Sequence, residues 1–124
     1  MSHPKAISLQ DFEELKNTSG IYLFDFWATW CGPCKVMNPI IETLTEDADL
    51  QKITFVSIDV DAEPELAGQF RVQSIPTFLA IKLKGDGTFD KETDILAKSI
   101  GAQSAFEFKK MLLEAITKAE ALVN

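Results

Sequence analysis

Two cysteines, Cys31 and Cys34, are the residues of this 124-residue chain best suited to carry chemistry. They are its only cysteines, and Gly32 and Pro33 separate them. A thiol pair at this spacing can close a small disulfide and open it again, passing an electron pair each time. Because so short a loop adds little chain-entropy stabilisation, the pair is either reactive or half of a metal site.

A strand followed by a helix is predicted around the pair. The nearly continuous apolar run Ile21–Trp27 precedes it and is typical of a strand buried on both faces. Apolar residues at helical spacing follow it. A helix is therefore predicted to begin near Pro33 or Cys34 and to end near Glu46, with Pro39 kinking it.

This arrangement places Cys31 at the N-terminus of a helix. Unpaired backbone N–H groups and the positive end of the helix dipole favour a thiolate there, so Cys31 is predicted to be the nucleophile. Cys34, one turn further and less exposed, is predicted to be the resolving thiol. Pro33 stiffens the loop between them and should influence the redox potential.

Asp25 is the only charged residue in the run Ile21–Trp27. Burial without a partner raises the pKa of a carboxyl group, and a raised pKa would suit Asp25 to accept the proton of Cys34. The alternative is an alternating strand whose aspartate faces solvent. Phe24 and Phe26 on either side favour burial and the functional role.

Alternating helix and strand patterns continue to the C-terminus and predict one α/β domain over residues 1–124. The other predicted helices run from Leu9 to Lys16 behind a Ser8–Asp11 cap, from Pro64 to Phe70, and from a Ser104–Glu107 capping box to the C-terminus. The other predicted strands are 53–59, 77–83 and 95–100.

Composition argues against several classes of function. The chain has 12 Lys and Arg against 19 Asp and Glu, a net charge of −7, whereas binding of nucleic acid needs a basic face. No signal peptide and no apolar run of roughly 20 residues is visible, so a cytoplasmic protein without a membrane segment is expected.

Metal and haem are also not expected as cofactors. A closed structural zinc site needs four ligands, and this chain offers one cysteine pair and a single histidine, His3. Covalent haem attachment requires a histidine directly after the second cysteine, where this chain has Lys35.

The segment Trp27–Lys35, together with the Phe24-Asp25-Phe26 stretch before it, closely resembles the active site of the thioredoxin family. Ile75-Pro76-Thr77 and Gly101-Ala102 follow in thioredoxin-like order and spacing. The resemblance implies the thioredoxin fold, a central mixed sheet of four or five strands with helices on both faces. It also implies a protein-disulfide reductase.

The same resemblance implies roles for individual residues. It makes Cys31 the nucleophile, Cys34 the resolving thiol and Asp25 a buried acid/base, and it places a cis peptide before Pro76. The implied substrate groove consists of Trp30, Gly32, Pro33, Ile75, Pro76 and Gly101. The implied partners are disulfide-containing client proteins and a thioredoxin-reductase-type electron donor, with the protein acting as a monomer.

Two departures from the family pattern stand out. Many members carry a lysine near the buried aspartate where this chain has Ser57, so Asp25 should hold its proton more tightly here. The stretch between Thr77 and Gly101 is several residues longer than usual, and the polar segment Lys84–Thr93 predicts a longer exposed turn. That turn is either a tolerated surface insertion or a contact for a client.

Two rival functions use the same fold. A disulfide oxidase or isomerase often carries a histidine between its cysteines, whereas Pro33 and the lack of a leader favour a reductase here. A non-enzymatic adaptor would act through its surface alone. The presence of both Cys31 and Cys34 argues against an adaptor.

Overall fold

A five-stranded mixed sheet forms the centre of the computed structural model, which describes residues 3–122. The strands are β1 (Lys5–Ala6), β2 (Gly20–Trp27), β3 (Ile53–Asp59), β4 (Thr77–Leu83) and β5 (Ile95–Ile100). Their order across the sheet is β1-β3-β2-β4-β5. The first three are mutually parallel, and β4 and β5 pair antiparallel to their neighbours.

Four helices flank the sheet: α1 (Leu9–Leu15), α2 (Gly32–Thr45), α3 (Pro64–Gln69) and α4 (Ala105–Ala121). A 3₁₀ turn, Ala48–Leu50, follows α2. The predicted α/β class and central mixed sheet are thus confirmed, and most predicted ends lie within about one residue of those observed. The last helix, predicted to continue to the C-terminus, ends at Ala121, and residues 123–124 lie outside the described range. Strand β1 and the 3₁₀ turn were not predicted.

Helix starts follow the predicted capping residues, with one correction. At α1 the Ser8 hydroxyl accepts from Asp11 N and the Asp11 carboxylate accepts from Ser8 N, a complete capping box. At α4 only the first half is present, because Ser104 Oγ accepts from Glu107 N without a reciprocal bond from the Glu107 side chain. Pro39 lies inside α2, as predicted.

The side-chain alternation of β2 assigns its residues to two faces of the sheet. Tyr22, Phe24 and Phe26 belong to the cluster packed by α1 and α3, whereas Leu23 belongs to the cluster packed by α2 and α4. Asp25 shares the parity of Leu23 and therefore points to the α2 side. Full burial of one such apolar side chain contributes roughly 1.5–3 kcal/mol.

The segment between β4 and β5 is only partly the exposed turn that its composition predicts. Most of its residues are exposed, but Phe89 is half-buried and packs its ring against Phe12 and Phe70, at centroid distances of 5.7 and 5.3 Å. Asp94 at its end is buried and accepts from the Lys84 ammonium group. The prediction of an exposed turn is wrong for Phe89, whose ring completes an aromatic cluster.

Within residues 3–122, no helix has both the length and the apolar composition needed to cross a lipid bilayer.

Candidate active site

A disulfide joins Cys31 to Cys34 at the start of α2, with a Cα–Cα distance of 5.3 Å. Cys31 is the N-cap residue of the helix, and its Sγ accepts a hydrogen bond from Cys34 N at 3.2 Å. This amide is one of the first-turn N–H groups that have no partner within a helix. The prediction that Cys31 lies at a helix N-terminus is confirmed.

The two cysteines are almost equally buried in this oxidised state. Cys31 is 3% exposed and Cys34 2%, so the predicted difference in exposure is slight. Ala28 is buried with them, and Trp27 and Ile75 pack against the group. The disulfide is therefore largely buried in an apolar setting.

Asp25 is buried on β2, with 6% of its surface exposed. Its strand neighbours are Ser57 on β3 and Phe78 on β4, and no residue in the described part of the chain donates a hydrogen bond to its carboxylate. Burial deprives the carboxylate of water and raises its pKa from 3.8 to about 7. The predicted burial and raised pKa are confirmed, and the neighbouring position indeed carries an uncharged serine.

A cavity of about 170 Å³ adjoins Asp25 on the α2 side of the sheet. Ser57 and Trp27 form part of its wall, and Asn38 of α2 lines it as well. The indole Nε1 of Trp27 is buried and has no hydrogen-bond partner among the described residues. Asp25 and Trp27 thus bring to one region two buried polar groups that have no partner within residues 3–122.

A groove of about 340 Å³ runs beside the disulfide. Trp30 and Ile75 line it, as do Val60 and residues 72–74. Trp30 is 67% exposed, and its indole N–H donates to Asp61 Oδ2 at 2.7 Å, which fixes the ring at the groove edge. The arrangement offers an apolar surface to an extended chain.

The other residues predicted for the groove occupy two neighbouring places. Gly32 and Pro33 form the exposed first turn of α2. The Ile75–Pro76 peptide is cis, as predicted, and the carbonyl of the buried Pro76 accepts from Gly101 N at 2.9 Å. Gly101 has φ +90°, a backbone conformation that favours glycine.

Sequence reasoning missed several residues at this surface. Ile100, directly before Gly101, is 55% exposed, and Val60 and Val72 line the groove. Asp61 orients Trp30. An exposed isoleucine next to a glycine at the end of a strand is a signal that could have identified Ile100, whereas the pairing of Trp30 with Asp61 depends on the tertiary fold.

No cluster of three or more His, Cys, Asp or Glu in the part of the chain that the structure describes is arranged to hold a metal ion.

Comparison with known proteins gives a consistent result. The family model described as Thioredoxin matches residues 4–112. A thioredoxin of Bacillus subtilis is 39% identical over 103 residues, covering 83% of this chain and 86% of that protein. Thioredoxin 2 of Chlorobaculum tepidum is 39% identical over 99 residues, covering 79% of this chain and 88% of that protein.

A solved structure agrees with these sequence matches. Mitochondrial thioredoxin 3 from Saccharomyces cerevisiae, in its oxidised form, superposes with a TM-score of 0.69 at 31% sequence identity. The superposition covers 88% of this chain and 92% of the yeast protein.

Proposed function

Because the chain belongs to the thioredoxin family, we propose that Cys31, Cys34 and Asp25 carry its reaction in the roles of nucleophile, resolving thiol and proton acceptor. The protein is a thiol–disulfide oxidoreductase of the protein-disulfide reductase type. The observation that carries the assignment of roles is the Cys31 Sγ at the N-cap of α2, accepting from Cys34 N.

The first step is attack on a client disulfide. The Cys31 thiolate, favoured by the amide of Cys34 and by the helix N-terminus, bonds to one client sulfur. The other client sulfur leaves as a thiolate and takes a proton from solvent. A mixed disulfide now links Cys31 to the client.

The second step is resolution by Cys34. Its thiol gives a proton to Asp25, and the resulting thiolate attacks Cys31 Sγ. The Cys31–Cys34 bond forms and the second client sulfur leaves as a thiolate, so that an electron pair has passed from the protein dithiol to the client. A carboxyl group with a pKa of about 7 suits this transfer, because it is partly ionised at neutral pH and gains a proton readily.

The groove beside the disulfide is proposed to hold the client in an extended conformation. Trp30 and Ile75 supply part of the apolar wall of this groove. Gly32, Pro33, Pro76 and Gly101 are proposed to extend the client-binding surface around it. No backbone hydrogen bond engages Ile75 among the described residues, so its N–H and C=O are available to pair with a client strand.

The proposed partners are disulfide-containing client proteins and a reductase that returns the disulfide to the dithiol. We place the protein in the cytoplasm, as a monomer that takes electrons from a thioredoxin-reductase-type donor. A cytoplasmic site fits the reaction, because thiols are kept reduced there.

Reduction of insulin by the dithiol tests the assignment of roles. Cys31→Ser should abolish reduction and trap no client. Cys34→Ser should also abolish turnover, yet accumulate a mixed disulfide with the client on Cys31. Mixed-disulfide formation through Cys34 in the Cys31→Ser variant would reverse the two roles, and partner binding that is independent of both thiols would indicate an adaptor.

A redox titration separates a reductase from the oxidase or isomerase alternative. A dithiol potential well below that of the glutathione pool is expected for a reductase. A potential well above it would assign the protein to disulfide formation instead.

A further inference from the structure

The cavity beside Asp25 reaches the protein surface at a pair of charged residues. His3, just before β1, and Glu42, on α2, both line the cavity. They form an ion pair between His3 Nδ1 and Glu42 Oε2. The side chains are 60% and 30% exposed, so the pair lies where the cavity meets solvent.

No other charged side chain lines this cavity among the described residues. Ser57 faces Asp25 from β3, Phe78 opposes it from β4, and Asn38 contributes an amide from α2. The reduced protein adds the Cys34 thiol, whose proton Asp25 is proposed to accept. Among the described residues, His3 and Glu42 are therefore the charged groups that share this cavity with Asp25.

The charge that the pair presents to the cavity depends on both of its members. In the ion pair the two charges compensate each other, whereas the Glu42 carboxylate without its partner leaves one uncompensated negative charge. A negative charge nearby disfavours ionisation of a second carboxyl group.

We propose that the His3–Glu42 ion pair at the mouth of the cavity tunes the proton release of Asp25 through the balance of its two charges. His3 and Glu42 are then positioning residues that act on the resolving step through Asp25. The inference rests on the proposed function of Asp25 as proton acceptor of Cys34.

Opposite substitutions of the pair give the decisive test. Asp25 ionisation is followed by carbon-13 NMR of its carboxyl group in the reduced full-length protein, in His3→Gln, Glu42→Gln and the double variant. His3→Gln leaves Glu42 uncompensated and should raise the titration midpoint of Asp25 by about half a pH unit. Glu42→Gln removes the negative charge and should lower the midpoint, and the double variant should return towards wild type.

The direction of the shifts separates an electrostatic effect of the pair from a structural contact. Both single variants break the same ion pair, so a structural role would move the midpoint in the same direction in both. Shifts of the same sign, or no shift in either, would overturn the proposal. Glu13→Gln is the matched control, because Glu13 is also ion-paired, to Lys16, but lies on α1 at the opposite face of the sheet. It should leave the midpoint unchanged.

Measuring the resolving step as well as the titration of Asp25 distinguishes failure of this inference from failure of the proposed function. The NMR titration needs no turnover, whereas release of a chromophoric thiol from a mixed disulfide on Cys31 measures the attack by Cys34. If the single variants shift the midpoint of Asp25 in opposite directions while Asp25→Asn leaves release unchanged, the electrostatic role of the pair stands and the catalytic role of Asp25 fails. If Asp25→Asn slows release but the midpoint does not respond to His3 or Glu42, the inference alone fails.

Discussion

Asp25 and Asp94 are equally buried, with 6% of each residue exposed, yet their surroundings are opposite. Asp94 accepts hydrogen bonds from the Lys84 ammonium group at 3.1 Å and from Asp90 N at 2.8 Å. No residue in the range 3–122 donates to the Asp25 carboxylate. Burial alone therefore does not decide what a carboxyl group does, because its partners determine whether it holds the fold together or remains available for a proton.

The same difference extends to the regions around the two residues. Asp94 closes the segment between β4 and β5, and its hydrogen bond raises the pKa of Lys84. Beside Asp25 the indole N–H of Trp27 is also buried without a partner among the described residues. Unsatisfied buried polar groups cost roughly 1–3 kcal/mol each. The candidate active site thus retains a local instability that the opposite end of the sheet avoids.

The largest expected effect comes from removing the charge of Asp25. The pKa of this carboxyl is about 7 in the folded protein against 3.8 ordinarily, so the folded state binds its proton more tightly. The associated stability is fully present below about pH 4 and is lost as pH rises to about 7, a change of roughly 4 kcal/mol. Asp25→Asn should therefore be more stable than wild type by about 2–4 kcal/mol at about pH 8, and similar to it at about pH 4.

Urea unfolding of the oxidised proteins at the two pH values measures this difference. The difference between variant and wild type must grow with pH. A stability gain that is independent of pH would show that Asp25 ionises as readily in the folded protein as in the unfolded chain.

Removing Asp94 should have the reverse effect on stability. Asp94→Ala leaves the partly buried amide of Asp90 and the Lys84 ammonium group without their acceptor, so the free energy of unfolding should fall by about 3 kcal/mol. Chemical denaturation measures the loss, and insulin reduction by the remaining folded protein should be unchanged. Lys91→Ala, at an exposed position of the same segment, is the control and should change stability by less than about 0.5 kcal/mol.

The third prediction concerns the ring that anchors this segment. Phe89→Ala removes an edge-on contact with Phe12 and a tilted one with Phe70, and for a half-buried phenylalanine the loss should be about 2 kcal/mol. Phe106→Ala is the matched control, because Phe106 is 74% exposed and should contribute almost nothing to stability. Equal denaturation midpoints for the two variants would mean that the segment between β4 and β5 does not stabilise the core.

The smallest effect is expected from a substitution that gives Asp25 a cationic partner, as Lys84 is for Asp94. Ser57 is the direct neighbour of Asp25 on β3, so Ser57→Lys brings an ammonium group towards the carboxylate. The pKa of Asp25 should fall by about 1 unit, and the pH profile of the resolving step should move to lower pH with it. Ser57→Met, which adds length without charge, should not produce this shift. A Ser57→Lys profile identical to that of wild type would contradict the idea that Asp25 controls the step.

Most of the fold follows from local patterns in the sequence. The apolar run Thr77–Leu83 became β4 with the predicted ends, because apolar residues fill the run and a turn follows it. Strand β1 could not be predicted in this way. Lys5 and Ala6 carry no strand pattern of their own, and their pairing with Val56 and Ser57 exists only in the folded sheet.

The candidate site likewise combines residues that could be placed from local sequence with features that only the tertiary fold creates. Cys31 at a helix start and Asp25 between two phenylalanines are local arrangements, so their placement could be predicted. The cavity could not, because it joins His3 to Glu42, residues far apart in sequence that give no local signal. The packing of Phe89 could not be predicted either, because it is a single apolar residue within a polar stretch.

Strand β1 is only two residues long, and His3 lies two positions before it. Charges fused shortly ahead of His3, as in an affinity tag, would consequently lie close to the opening above Asp25. A polyhistidine tag there would also add imidazoles beside the one that pairs with Glu42. Attachment beyond the end of α4 would keep such additions away from this opening, so the choice of terminus decides whether a recombinant preparation retains the native acid–base behaviour.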